Sequence, residues 1–177
     1  KTKGIWLFVD GAQTAGMFPF SLHELGCDAY ATSGHKWMLG PKETGFLYVR
    51  KEMLDVIQPK IVGAYSDGGF DLVKGTLNFH PSAQRYEYGT VSIPLRFGLG
   101  AAIKFLQKIG TENVWKRDQS LSTRLFTGLK SIAYVSVLSP ESSTERSALV
   151  TFRHEKVPFG DLQRHLDTYK LRTRGVG

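Results

Sequence analysis

The sequence of 177 residues lacks most features of membrane and secreted proteins. Cys27 is its only cysteine, which excludes an internal disulfide and indicates a reducing compartment. No apolar run approaches the ~18 residues of a membrane span, and the apolar run that follows Lys3 is too short for a signal peptide. We therefore predict a cytoplasmic protein with no membrane partner.

Motifs for metals and nucleotides are missing as well. We predict no metal, because no metal-ligand spacing with one another or with Cys27 is found for four histidines, His23, His80, His154 and His165. No G-x-G-x-x-G follows the first predicted strand, and no G-x-x-x-x-G-K-[ST] occurs anywhere in the sequence. These absences argue against a Rossmann-like or P-loop nucleotide binder.

The formal net charge is +7, but the basic residues are scattered along the chain. They do not alternate with aromatic residues as they would in a surface that binds single-stranded nucleic acid. The excess of positive charge suits solubility, and it also suits a ligand that carries phosphate and carboxylate groups. We predict no nucleic-acid partner.

Short apolar runs alternate with helical patterns, which predicts an α/β protein. The runs GIWLFVDG, CDAYATS and GFLYVR indicate strands, the first of them buried, and Trp6 and Trp37 are expected to be core aromatics. Residues 62–90 lack sustained periodicity and are predicted to form a long loop. Two helices follow, over residues 93–110 and 111–132, and then strands that alternate as in a half-exposed sheet. A last helix is predicted in FGDLQRHLDTYK, and a last strand in LRTR.

Polar side chains follow the first two predicted strands. Asp10 comes directly after the first strand, and Ser33, His35 and Lys36 come at the end of the second. Since strand ends in α/β sheets face the ligand crevice, a carboxylate, a hydroxyl, an imidazole and an amine are expected in one place. Two simpler interpretations stay open: Asp10 as the cap of the next helix, and Lys36 as a surface lysine lying over an apolar wall.

The segment VDGAQTAGMFPFSLHELGCDAYATSGHKWMLGPKETGFLYVR resembles the cofactor-binding segment of class V aminotransferases, which depend on pyridoxal 5'-phosphate (PLP). The shared pattern is an aspartate and a glutamine after one strand, S-x-H-K after the next, and then a G-P…G turn. The resemblance is dense over residues 5–50 and thinner through RYEYGT and the following helix. It implies the C-terminal half of a fold-type I PLP-transferase large domain, with a mostly parallel sheet, followed by part of a small α+β domain. We place the first over residues 1–110, including the start of the connecting helix, and the second over residues 111–177.

The resemblance also implies a role for each matching residue. Lys36 would form a Schiff base with PLP and then carry the proton of the substrate α-carbon. Asp10 would pair with the pyridinium nitrogen, so that the ring draws in electrons. Gln13 would donate to the phenolic oxygen of the ring. The phosphate would be held by Ser33 and His35 and, from a partner subunit in a homodimer, by Thr90.

Two of these residues have structural alternatives, and so does one weaker candidate near the end of the chain. The alternative to a functional role is a turn residue for Gln13, a helix N-cap for Thr90, and an exposed arginine on the predicted last strand for Arg172. As a site residue, Arg172 would bind the carboxylate of the substrate. Arg85 and Glu87 are predicted to form a surface ion pair.

The expected activity is chemistry at the α-carbon of an amino acid, as in an epimerase, an aminotransferase or a lyase. Cysteine desulfurases carry a cysteine just after the arginine that corresponds to Arg172, and RTRGVG has none. A C–S lyase of the cysteine desulfurase or selenocysteine lyase type is therefore the alternative. The resemblance covers about half of the family's length, so a partial chain without catalysis is the second alternative.

Overall fold

A computed structural model describes residues 3–175. The chain divides into two compact units, Lys1–Val114 and Trp115–Gly177. The predicted mixed α/β fold is confirmed, while the predicted domain boundary after residue 110 stays a prediction. Across residues 3–175, no helix is both long and apolar enough to cross a membrane.

The first unit contains a sheet, a hairpin and a long helix. Its elements are β1 (Phe8–Asp10), α1 (Leu22–Leu25), β2 (Ala29–Ser33), β3 (Gly45–Val49), β4 (Asp67–Asp71), β5 (Thr76–Phe79) and α2 (Ile93–Ile109). The helix α3 (Thr111–Lys130) spans the boundary between the two units. The second unit continues with β6 (Val135–Val137), β7 (Phe152–His154) and α4 (Phe159–Thr168).

The central sheet has the strand order β1-β2-β3. The strands β1 and β2 are parallel, with Asp10 opposite Ala31. The strand β3 is antiparallel to β2, with Gly45 opposite Ser33. The two parallel strands therefore end at the same edge of the sheet, which places the residues that follow them side by side.

A buried ion pair fixes the other end of this sheet. Asp28 is 1% exposed, and its Oδ1 contacts the guanidinium group of Arg50. Its Oδ2 accepts a hydrogen bond of 2.8 Å from the backbone N–H of Leu7. Because a buried carboxylate is stable only when it is paired, this contact ties the start of β2 to the end of β3 and to the residues before β1.

The prediction that the first strand is buried is wrong for the described residues. The strand β1 lies at the edge of the sheet, and the side chain of Phe8 is 56% exposed. Trp6 is 57% exposed and contacts the ring of Phe8, so it is not a core aromatic. An apolar strand is buried only where other elements cover both of its faces, and the local sequence does not determine that cover.

The prediction that residues 62–90 form an irregular loop is also wrong. They contain the antiparallel hairpin β4–β5, whose turn is held by Asp71 Oδ1 accepting two backbone N–H groups at 3.0 and 3.1 Å. Gly75, with φ of 62°, completes the turn. The sequence does not show the alternating pattern of these strands, because the register shifts between Asp67 and Gly69 and a bulge interrupts the alternation of side chains.

The prediction of a surface ion pair between Arg85 and Glu87 is wrong. Arg85 is buried, and its guanidinium group donates to the carbonyl oxygens of His80 and Leu54 at 2.8 and 2.5 Å. Glu87 pairs instead with Arg96 in α2, at 3.0 Å. The buried guanidinium joins the end of the hairpin to the turn after β3, a distant contact that sequence spacing does not indicate.

The second unit pairs two short strands beside two helices. The strands β6 and β7 are antiparallel, with Val135 opposite His154. Arg146 is 5% exposed, and its guanidinium group lies 4.2 Å from the ring centroid of Phe126. No strand forms at the predicted position LRTR: residues 171–175 are irregular, and the backbone of Thr173 accepts a hydrogen bond from α4.

Candidate active site

Two loops follow the parallel strands at the same edge of the sheet. We call residues 10–17 the Asp10 loop and residues 34–41 the Lys36 loop. Both loops are turns whose backbone is fixed by hydrogen bonds to the strands and to themselves. Five of the seven candidate residues lie here: Asp10 and Gln13 in the first loop, Ser33 directly before the second, and His35 and Lys36 within it.

The Asp10 loop is organised around the carbonyl oxygen of Gly11. This oxygen accepts hydrogen bonds of 2.9 Å from the hydroxyl groups of Thr14 and Thr32. The Asp10 carboxylate accepts the backbone N–H of Ala12 at 3.0 Å through Oδ1. Its second oxygen is available to a ligand, and Asp10 itself is exposed. The interpretation of Asp10 as the cap of the next helix is wrong, since the N-cap of α1 is Ser21 and Asp10 caps a turn. This turn contact and the predicted ligand contact are compatible, because a carboxylate has two acceptor oxygens.

The Lys36 loop closes on itself. Gly40 donates its N–H to the Gly34 carbonyl oxygen at 2.8 Å, and Gly34 donates to the Thr44 carbonyl oxygen at 2.7 Å. The Lys36 carbonyl oxygen accepts the N–H of Leu39 at 3.0 Å. Lys36 is half-buried within this ring of contacts, so its amine is presented from a fixed backbone.

The two loops are joined by one hydrogen bond and one close backbone contact. The indole Nε1–H of Trp37 donates to Gln13 Oε1 at 3.0 Å. At Gly16, where φ is 92°, an added Cβ would lie 2.4 Å from the Trp37 carbonyl oxygen. Only glycine permits this approach, so the sequence QTAG determines how near the Asp10 loop lies to Lys36.

The helix α2 packs against the Lys36 loop. A Cβ at Gly40 would lie 2.7 Å from the Leu99 side chain, and a Cβ at Gly98 would lie 2.7 Å from the Pro41 ring. These small residues let the helix and the loop approach closely. The sequence analysis did not identify Gly16, Gly98 and Leu99 as residues that position the site. For Gly16, the available signal was a glycine three residues after Gln13.

Gly16→Ala is expected to destabilise the protein more than Gly26→Ala. Both glycines have positive φ, of 92° and 64°, but a Cβ at Gly26 meets nothing within 4 Å. Both variants add backbone strain, and only Gly16→Ala forces the two loops apart, at a further cost of about 2 kcal/mol in the free energy of unfolding. Urea unfolding of the two variants of the whole protein measures the difference. Equal losses would show that the close approach is not required.

Thr90 is not brought to Lys36 by any contact among the described residues. It is exposed and lies between Glu87 and the N-cap of α2, which is Ser92 rather than Thr90. The carbonyl oxygen of Glu87 accepts the Ser66 hydroxyl at 2.7 Å, which anchors this segment on its N-terminal side. The predicted contact between Thr90 and the cofactor of a partner subunit stays a prediction.

Arg172 lies in the second unit, exposed and outside any strand. Its predicted contact with a substrate carboxylate stays a prediction. Within residues 3–175, no group of three or more His, Cys, Asp or Glu side chains could hold a metal ion.

A cavity of about 520 Å³ lies at the opposite end of the sheet from Lys36, beside Cys27, Val49 and Arg50. Its position excludes a direct role in chemistry at Lys36. Cys27 is 1% exposed, and burial raises the pKa of its thiol. A buried thiol with a raised pKa is a poor nucleophile, and Cys27 lies at the end of the sheet opposite Lys36.

The donor set at the Lys36 edge fits PLP. PLP carries an aldehyde, a ring nitrogen that gains a proton, a phenolic oxygen and a phosphate. The two loops offer an amine, a carboxylate, an amide and a pair of phosphate-suited donors, all fixed to adjacent strand ends. The chemistry of the residues and their common location therefore agree with the cofactor that the sequence indicates.

The model of the family "Aminotransferase class-V" matches residues 1–177. A probable cysteine desulfurase of Pyrococcus abyssi is 31% identical over 174 residues, which cover 98% of this chain and 43% of that protein. The apo cysteine desulfurase of Thermococcus onnurineus NA1 superposes with a TM-score of 0.87 at 28% identity, over 98% of this chain and 42% of that one.

A second solved structure is the cystine C–S lyase C-DES in complex with its reaction product, cysteine persulfide. It superposes with a TM-score of 0.84 at 30% identity and covers 97% of this chain and 45% of its own. A variant of C-DES was solved with glycine covalently linked to its PLP cofactor. The chain thus spans about two-fifths of the length of the relatives that it matches.

Proposed function

The chain belongs to the class V aminotransferase family, and we propose that the whole protein is a PLP-dependent C–S lyase acting on cysteine or cystine. The observation that carries the proposal is the junction of the Asp10 and Lys36 loops through Trp37 and Gln13, which gathers a donor set for PLP at one sheet edge. The choice of a C–S lyase is supported by relatives that are cysteine desulfurases and a cystine C–S lyase.

The cofactor predicted from the sequence, PLP, is confirmed for this family. When bound, PLP withdraws electrons from the substrate α-carbon and so makes bonds at the α- and β-carbons easier to break. In the proposed site, Lys36 would hold the aldehyde carbon and carry the α-proton, and Asp10 would keep the ring nitrogen protonated. Ser33 and His35 donate to the phosphate, and Gln13 donates to the ring oxygen.

The relatives favour sulfur chemistry over the α-carbon chemistry that the wording RTRGVG suggested. A desulfurase needs a thiol to receive the sulfur, and Cys27 is buried away from Lys36. With cysteine, the sulfur would form an S–S bond with another protein thiol while the Cβ–S electron pair returns to Cβ, which takes up a proton to give alanine. With cystine, the electron pair would leave with the sulfur as cysteine persulfide, and the remaining three-carbon unit would hydrolyse to pyruvate and ammonia. The homodimer, with Thr90 serving the partner's cofactor, and the cytoplasmic location are part of the same proposal.

A substrate comparison on the whole protein tests the reaction type. The PLP-loaded protein is incubated separately with L-cysteine, L-cystine and L-alanine. Sulfur released after reduction is measured colorimetrically, and D-amino acids are measured by chiral chromatography. We expect sulfur release from cysteine or cystine and no D-alanine. Formation of D-alanine without sulfur release would instead identify an epimerase.

A further inference from the structure

In the hydrogen bond between Trp37 and Gln13, the chemistry of the two side chains determines which is the donor and which is the acceptor. The indole nitrogen of tryptophan carries a hydrogen and has no acceptor capacity. Its partner at 3.0 Å must therefore be the amide oxygen of Gln13, Oε1. Both N–H groups of the Gln13 amide remain for other acceptors, so the orientation of this amide is fixed by the residue next to Lys36.

Trp37 is itself held in place. It is half-buried, and the backbone of the Asp10 loop lies close enough at Gly16 to exclude even a methyl group. The next residue, Met38, is 6% exposed and anchors the loop in the core. The backbone on both sides of the indole is thus fixed, while the hydrogen bond from the indole N–H to Gln13 lies at the surface.

We propose that Trp37 is a positioning residue for PLP: it turns the Gln13 amide nitrogen, and not the amide oxygen, toward the ring oxygen of the cofactor. This inference rests on the proposed function, because it takes PLP as the ligand. The ring oxygen of PLP is ionised and accepts hydrogen bonds, so an amide N–H stabilises it and an amide oxygen repels it. Without the indole donor, the amide of Gln13 is free to adopt either orientation.

Simple packing of an aromatic side chain is the competing interpretation, and one substitution separates the two. Trp37→Phe retains an apolar ring but removes the N–H, whereas Gln13→Leu removes the amide on which Trp37 is proposed to act. If Trp37 acts through Gln13, the effect of Trp37→Phe disappears when Gln13 is already leucine, since the two residues form one unit. Trp6→Phe is the matched control, because it removes an indole that contacts Phe8 away from both loops.

The experiment measures PLP binding to the apo form of the whole protein and the pH at which the visible absorbance of bound PLP changes. We expect Trp37→Phe to weaken PLP binding about three- to tenfold, the size of one hydrogen bond. The absorbance transition is expected at higher pH, because the ionised ring oxygen loses a donor. Trp6→Phe is expected to leave both quantities unchanged.

The outcomes separate the inference from the proposed function. If the unmodified protein binds no PLP, the proposed function fails, and the inference fails with it. If it binds PLP but Trp37→Phe matches it in affinity and pH, only the positioning role is overturned. The positioning role is also overturned if Trp37→Phe has its full effect in the Gln13→Leu background, since Trp37 would then act through packing alone.

Discussion

Lys36→Ala in the whole protein is expected to abolish covalent retention of PLP and to lower turnover by at least about a thousandfold. The amine of Lys36 is the group of the two joined loops that can bond to the aldehyde of PLP, and its backbone is fixed by the closed Lys36 loop. Borohydride reduction followed by mass spectrometry of the peptides measures the attachment, and sulfur release from cysteine or cystine measures the turnover.

Lys42→Ala is the matched control for this prediction. Lys42 is an exposed lysine directly after the Lys36 loop, so its loss changes the local charge equally but removes no group from the strand edge. We expect Lys42→Ala to retain PLP and activity. Lys36→Arg is expected to fail like Lys36→Ala, because a guanidinium group keeps the charge but does not bond to the aldehyde. Full activity in Lys36→Ala would disprove the assignment of the site.

Asp10→Asn is expected to lower turnover by at least about a hundredfold while the fold is retained. Asparagine preserves the hydrogen bond from the Ala12 N–H, which Asp10 Oδ1 accepts at 3.0 Å, because its amide oxygen caps a turn as well as a carboxylate does. It does not supply the negative charge that keeps the ring nitrogen of PLP protonated. The substitution therefore separates the capping role of Asp10 from its proposed catalytic role.

The matched control is Asp71→Asn in the β4–β5 hairpin. Asp71 holds its turn by the same kind of contact, through Oδ1 and two backbone N–H groups. Its replacement is expected to leave both turnover and the visible spectrum of bound PLP unchanged. Steady-state turnover, the spectrum and thermal unfolding are compared for the two variants. If Asp10→Asn keeps full turnover, capping is its only role.

Local patterns were sufficient for the long helices and for the sheet edge that carries the candidate site. The helix α2 has proline in its first turn and Gly110 as its C-cap, both of which the sequence displays, whereas its N-cap is Ser92 and not the alternative Thr90. Likewise, the strands before Asp10 and Lys36 are apolar runs that end at polar residues. Because parallel neighbours end at the same edge, the sequence was enough to place these two residues at one edge of the sheet.

Burial and distant contacts were not predictable in the same way. Trp6 and Arg85 both differ from their expected burial: the tryptophan is exposed just before the edge strand β1, and the arginine is buried between the hairpin and the turn after β3. Hydrophobicity gives the preference of a side chain, but burial depends on which elements cover it. The hairpin within residues 62–90 was missed because a bulge breaks its alternation.

The sequence by itself determined the chemistry of the proposed site: which strands carry the candidate amine and carboxylate, and that PLP suits them. The tertiary structure alone decided how those groups are held. The contact of Trp37 with Gln13 and the close approach at Gly16 join residues more than twenty positions apart. Such contacts depend on how two loops meet across neighbouring strands, and no local propensity encodes that distance.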